Sequence, residues 1–206
     1  MRSSRPKALL MLRGMPLFLR SLGTFRSVGA VREIVLTVPR GYERDFARLL
    51  PEGSRVRILV GGRRRQDSVA RGLAALSAGV DVIVVHDTAR PLVTARTVRA
   101  VIAQAARHGA CVCAVPASDT IKRVRGGGGL VAETLDRSTL WHAQTPQAFR
   151  AGLIRRAFAL AASRGWEATD CAGLVERAGG RVRVLKPDGP NPKVTTPEDL
   201  KTLGAK

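Results

Sequence analysis

The sequence predicts an α/β fold: a doubly wound, mainly parallel sheet with a protruding β-hairpin arm. Short apolar runs alternate with helical periodicity from one end of the chain to the other. Between residues 120 and 135 that alternation breaks around a run of glycine at 126–129. At 206 residues and 45% hydrophobic, the chain suits one domain that buries its own core without disulfides or metal staples.

Four apolar runs read as strands: 33–38, 55–60, 81–85 and 110–115. The last two are almost continuous hydrophobe, as strands covered on both faces should be. Amphipathic helices are expected at 17–27, 43–50, 67–76 and 95–108, which makes the alternation that of a doubly wound sheet. Segments 120–124 and 130–135 flank the glycine run and predict a hairpin arm within 117–137. An isolated hairpin is marginal in water, so the arm is expected to pack on something, most simply a second copy. Helices follow at 151–163 and 172–178, then a strand at 182–185 and a short helix from Pro197. No repeat or linker interrupts the chain, which reads as one domain over 1–206.

No apolar run approaches the ~20 residues of a membrane span, and the short one at 8–12 is broken at once by Arg13-Gly14. Cys111, Cys113 and Cys171 are odd in number, and the first two alternate within a buried strand. They read as structural thiols of a cytoplasmic protein, without the spacing of a metal site.

The net charge of +19 invites a nucleic-acid reading. Its texture opposes one. The arginines are scattered over every element, and five Phe, two Trp and one Tyr offer little surface for stacking bases. Compositional bias or an anionic substrate accounts for the charge equally well.

Ligands of open α/β sheets bind at the carboxyl ends of the strands, so the residues after each strand are the candidates. Strand 55–60 runs into Gly61-Gly62-Arg63-Arg64-Arg65-Gln66-Asp67-Ser68. There the glycines free the backbone for a ligand, the arginines add positive charge, and Asp67 or Ser68 can cap the next helix. The plain alternative is a strand–helix turn. Strand 81–85 ends in His86-Asp87-Thr88-Ala89-Arg90-Pro91. Asp87 and Arg90 can hold a hydroxyl or metal and a phosphate, or pair with each other. None of His86, His108 and His142 has metal-ligand spacing, and no nucleophile elbow is present.

These residues belong to five motifs in register: Gly61-Gly62-x-x-Arg65-x-x-Ser68-Val69, His86-Asp87-x-Ala89-Arg90-Pro91, Asp119-Thr120-Ile121-Lys122, Thr145-Pro146-Gln147-x-Phe149 and Lys193-Val194-Thr195-x-Pro197-Glu198-Asp199-Leu200. Together, from about Arg5 to Leu203, they resemble the 2-C-methyl-D-erythritol 4-phosphate cytidylyltransferases of the non-mevalonate isoprenoid pathway. Ribitol-5-phosphate cytidylyltransferases share several of them, and Trp141-His142-Ala143-Gln144 favours the methylerythritol branch. The resemblance implies a Rossmann-like nucleotidyltransferase that works as a homodimer. Its substrates would be CTP and 2-C-methyl-D-erythritol 4-phosphate, with Mg²⁺ carried mainly on the CTP phosphates.

By the same resemblance Lys7 would reach the triphosphate, Gly62 and Ser68 the cytosine, and Asp87 with Ala89 the ribose and attacking group. Arg90 and Lys193 would lie at the substrate side. Thr120 and Arg137, on the arm, would complete the other subunit's pocket. Lys7, Arg137 and Lys193 are the expected catalytic residues.

Two departures stand out. Members of that family open with a strand and a Gly-rich loop, A-A-G-x-G-x-R-M, and Met1 here falls at the loop's final Met. This predicts a gap in the middle of the sheet and a weakened phosphate cradle. The expected cause is a start upstream of Met1; the alternative is a degenerate, inactive copy acting only as a basic binding protein. Second, Cys171 stands where the family commonly has an acidic residue.

Overall fold

The β-branched run Ile34–Val38 (β3) pairs in parallel with Val56–Val60 (β4). A second, four-stranded sheet has the order β10-β6-β9-β5, formed by Arg183–Leu185, Ala110–Pro116, Trp141–Arg150 and Val82–Val85. The structure is a computed structural model that describes residues 6–126 and 129–204. Met1, Arg5, Gly127 and Gly128 lie outside them.

Helices cover the sheets as the periodicity predicts: α1 (Leu17–Arg26), α2 (Glu43–Leu49), α3 (Arg65–Ala75), α4 (Ala95–His108), α5 (Ala151–Arg164), α6 (Cys171–Arg177) and α7 (Pro197–Gly204). A two-residue pairing of β1 (Met11–Leu12) with β2 (Met15–Pro16) precedes α1. β6 is the central element. Cys111 and Cys113 point to the side packed by Val101 and Ala105 of α4, while Ala110 and Val112 face Ile154, Leu174 and Val175 of α5 and α6. Strand alternation therefore puts both thiols on one face. Burial pushes them up to about 11 and about 12, which leaves them inert core residues.

Two features differ from the expectation. The pattern gives no sign of β9, which runs antiparallel to both β5 and β6 and separates them. Thr145, Gln147 and Phe149 are all buried in it. A hydrophobicity reading passes over such a strand because it buries polar side chains that serve as braces. In addition, helix α3 begins two residues earlier than predicted, at Arg65.

The expected interruption is present. Among the described residues β3 pairs only with β4, and β5 only with β9, so no ladder joins the two sheets. β3 and β5 are mostly half-buried, whereas β6 is buried along Ala110–Ala114. The arm is the antiparallel pair β7 (Lys122–Arg125) and β8 (Leu130–Thr134), exposed throughout. Val124, Leu130 and Val131 stand in solvent on it.

Candidate active site

The ends of β4 and β5 and the segment before α7 meet at one place. After β4 the chain turns through Gly61 and Gly62, and the Gly62 N–H donates to the Ser68 Oγ at 2.9 Å. A Cβ at Gly62 would lie 2.2 Å from the Asp67 Cβ, so only glycine lets the turn close onto the start of α3. That closure sets where Arg65, the first residue of α3, projects. The N-cap of α3 is Arg64, not Asp67 or Ser68: Asp67, at the third helical position, accepts the Arg64 N–H, and Ser68 accepts the Gly62 N–H and donates to the Arg64 carbonyl.

Arg65 projects to Asp87. Its Nε donates to Asp87 Oδ1 at 3.0 Å, and its Nη1 reaches the Cys171 sulfur at 3.5 Å. Lys193 Nζ donates to the other oxygen, Asp87 Oδ2, at 2.8 Å. The Asp87 backbone is fixed as well, since its N–H donates to the Thr145 hydroxyl at 3.0 Å. Burial alone would raise the Asp87 carboxyl, but the two cations outweigh it and hold it below its ordinary value. The local Asp87–Arg90 pair weighed from sequence does not form. Asp87 takes partners from two distant segments instead.

Lys193 is presented by a tight cap. Thr196 and Asp199 form a reciprocal pair at the start of α7: Asp199 N–H donates to Thr196 Oγ1, and Thr196 N–H to Asp199 Oδ2. The same oxygen accepts the Thr195 N–H and hydroxyl. These donors hold the Asp199 carboxyl down at about 2. Val194 N–H donates to the Ala89 carbonyl at 2.8 Å, which ties this segment to the loop that carries Asp87. Lys7 Nζ donates to the Thr195 carbonyl. Lys7, Arg65, Asp87, Ala89 and Lys193 are thus linked at one end of the sheet. The bracing role of Asp199 was not foreseen, although its Thr-Pro-Glu-Asp spacing is a readable capping signal.

Arg90 is only 9% exposed. Its Nη1 donates to the Asn191 carbonyl at 2.6 Å and its Nε has no partner. Thr120 is exposed at the root of the arm, and Arg137, in a short 3-10 turn, donates to the Ser118 carbonyl. Neither is bonded to the Asp87 cluster, so within one chain the arm residues stay apart from it. Its acidic neighbours are engaged elsewhere: Glu133 pairs with Arg123, and Asp136 accepts the Ser138 N–H.

The family described as IspD, 2-C-methyl-D-erythritol 4-phosphate cytidylyltransferase, matches residues 1–205. This chain belongs to that family. The cytidylyltransferase of Syntrophus aciditrophicus is 40% identical over 204 residues, covering 97% of this chain and 87% of the relative. The crystal structure of the Thermus thermophilus cytidylyltransferase superposes with a TM-score of 0.84 at 36% identity, covering 97% of this chain and 92% of that one. A bifunctional IspD/IspF enzyme of Anaeromyxobacter dehalogenans is 41% identical, and this chain covers 53% of it.

In this member of the cytidylyltransferase family His86 is a brace. Its Nε2 donates to the Arg90 carbonyl, which leaves Nδ1 to accept from the Thr145 hydroxyl, both at 3.2 Å. Burial lowers its pKa to about 4, against about 6.5 in an unfolded chain. A base depressed in the folded state contributes stability above the unfolded value and loses it as pH falls between the two. Acidification from pH 7.5 to 5 should therefore cost about 2 kcal/mol through this one residue. Urea unfolding of the parent and of His86→Gln at both pH values checks this. The variant's loss on acidification should be smaller by that amount, and equal losses refute the assignment.

Proposed function

We propose that the chain transfers the cytidylyl group of CTP to 2-C-methyl-D-erythritol 4-phosphate and releases pyrophosphate, a step of isoprenoid precursor synthesis. Beside the family membership, the observation that supports this reading is the Asp87 cluster. It gathers Arg65 and Lys193 around a single carboxylate, with Lys7 held on the Thr195 carbonyl of the segment that carries Lys193. Attack by the acceptor phosphate oxygen on the α-phosphorus forms one P–O bond and breaks the bond to the β-phosphate. Charge accumulates on the oxygens around that phosphorus, so the protein's task is alignment and cationic stabilisation. Lys193 stands at the reacting phosphates and Lys7 at the triphosphate. Gly62 and Ser68 meet the cytosine, and Asp87 and Ala89 the ribose and attacking group. Arg90 backs the substrate side.

Magnesium accompanies CTP in this reading and offsets phosphate charge. Among the described residues no group of three or more His, Cys, Asp or Glu side chains could hold a metal ion, and both Asp87 oxygens are engaged by cations. The ion is therefore assigned to the nucleotide's phosphates, and no step is routed through it. The exposed arm, with Val124, Leu130 and Val131 bare, is assigned to a second copy whose pocket it completes with Thr120 and Arg137. No helix among the described residues is long and apolar enough to cross a membrane, and a cytoplasmic setting suits the three free cysteines.

The test is pyrophosphate release from the purified chain with CTP, Mg²⁺ and 2-C-methyl-D-erythritol 4-phosphate. Release that depends on that acceptor supports the reading. Release with ribitol 5-phosphate alone would change the acceptor, and silence from folded protein with both would overturn it.

A further inference from the structure

Arg65 enters none of the roles above, yet its guanidinium has the most particular geometry in the cluster. We propose that Arg65 is a positioning residue for the proposed transfer, bridging Asp87 and Cys171 so that the second Asp87 oxygen presents Lys193 to the incoming phosphates. The inference rests on the reaction proposed above and adds a residue to it.

The side chains are graded in depth. Cys171 is 1% exposed, the Asp87 side chain 18%, that of Arg65 32% and that of Lys193 42%. Lys193 stands in front, on a segment pinned by Asp199, and Asp87 holds it from behind. Cys171 closes the rear. An anion that draws Lys193 forward removes one of the two partners of Asp87, and Arg65 alone then keeps the carboxylate ionised and aimed.

Two diverging N–H groups suit this task. Nε is committed to the carboxylate, and Nη1 is steadied by a sulfur that carries no charge, its thiol pushed up to about 11 by burial. The guanidinium therefore leans on Cys171 without being drawn from Asp87 by a second anion. A lysine at 65 would supply the charge without the fixed fork. The other groups facing Asp87 add no anion: Arg90 and the neutral His86 come from its own loop, and the Cys171 thiol from α6.

The experiment separates charge from orientation. Carbon-13-detected titration of the Asp87 carboxyl, assigned with Asp87→Asn, is compared in the parent, Arg65→Gln and Arg65→Lys, alongside pyrophosphate release. Arg65→Gln should raise the Asp87 midpoint by about one unit, because an opposite charge within contact favours ionisation by one to three units. The acid limb of kcat/KM should move with it, which a merely structural role would not cause. Arg65→Lys should keep the midpoint near the parent's, while kcat falls about tenfold for want of orientation. An unmoved midpoint in Arg65→Gln, or parental kcat in Arg65→Lys, overturns the proposal. A parent that releases no pyrophosphate would defeat the reaction itself, and the titration would then decide the Arg65–Asp87 bridge alone.

Discussion

Replacing Lys193 by alanine should lower turnover about 10²- to 10³-fold, the usual cost of removing one preorganised donor from a centre where charge develops. Its side chain is 42% exposed and, among the described residues, its one ion pair is with Asp87, so the variant should fold normally. Near-parental rates would remove Lys193 from the chemistry. Arg137→Ala should lose turnover as well, though for a different reason. Arg137 is not bonded to its own chain's Asp87 cluster, and it serves only if the arm reaches a second copy. Mixing the two variants tests that directly. Random pairing puts half the molecules in heterodimers, and in each of those one site has both an intact Lys193 and an intact arm. The mixture should recover about a quarter of the parental activity in a two-fold dimer. No recovery on mixing would place Arg137 within its own subunit or outside the site.

Those two predictions draw on parts of the molecule that differ in how openly the sequence displays them. The strands 34–38, 56–60, 82–85 and 110–116 and the helices between them follow from hydrophobic period and β-branched composition. These are properties of each segment alone. The arm is equally open, because a glycine run between two extended stretches has few other outcomes. Gly62 and Ser68 are legible as a turn that closes on a helix.

The partners of Asp87 are not legible in that way. The carboxylate sits three residues from Arg90, and local spacing offers that pair, yet the guanidinium that binds it lies 22 residues upstream and the ammonium 106 downstream. Only the winding of the sheet brings those ends together. Arg90 meanwhile is buried by α1 and the loop at Asn191, whose contacts no local pattern encodes. Strand β9 escaped for a related reason. Its buried residues include Thr145 and Gln147, which a polarity count places outside a core although their polar atoms are bonded inside it.

Gln147 shows what such a residue contributes, and its replacement should produce the largest loss of stability among these variants. It is 1% exposed. Its Oε1 accepts the N–H groups of Cys171 at 3.1 Å and Ala172 at 3.3 Å, the first two of α6, and its Nε2 donates to Asp170 Oδ2 at 2.8 Å. Asp170 uses its other oxygen to cap Gly173. One amide thus completes the helix start that sets Cys171 behind Arg65. Gln147→Leu keeps the volume but strands two buried N–H groups and a carboxylate oxygen. At about 1–3 kcal/mol for each unsatisfied buried group, partly relieved by relaxation, the loss should be about 3–4 kcal/mol. In a chain of this size that lowers Tm by about 10 °C.

Gln147→Glu discriminates further, because it keeps the acceptor oxygen for both N–H groups but replaces the donor to Asp170 with a second carboxylate oxygen. Repulsion raises the folded-state pKa of such a pair, so its destabilisation is full at neutral pH and vanishes once pH falls below the unfolded values. Gln147→Glu should therefore lose stability at pH 7.5 and regain part of it, relative to the parent, at pH 5. Gln147→Leu should show no such recovery. Thermal unfolding of the three proteins at both pH values decides the matter: a Tm for Gln147→Leu within about 2 °C of the parent would mean that α6 holds its place, and Cys171 its position behind Arg65, without this strand.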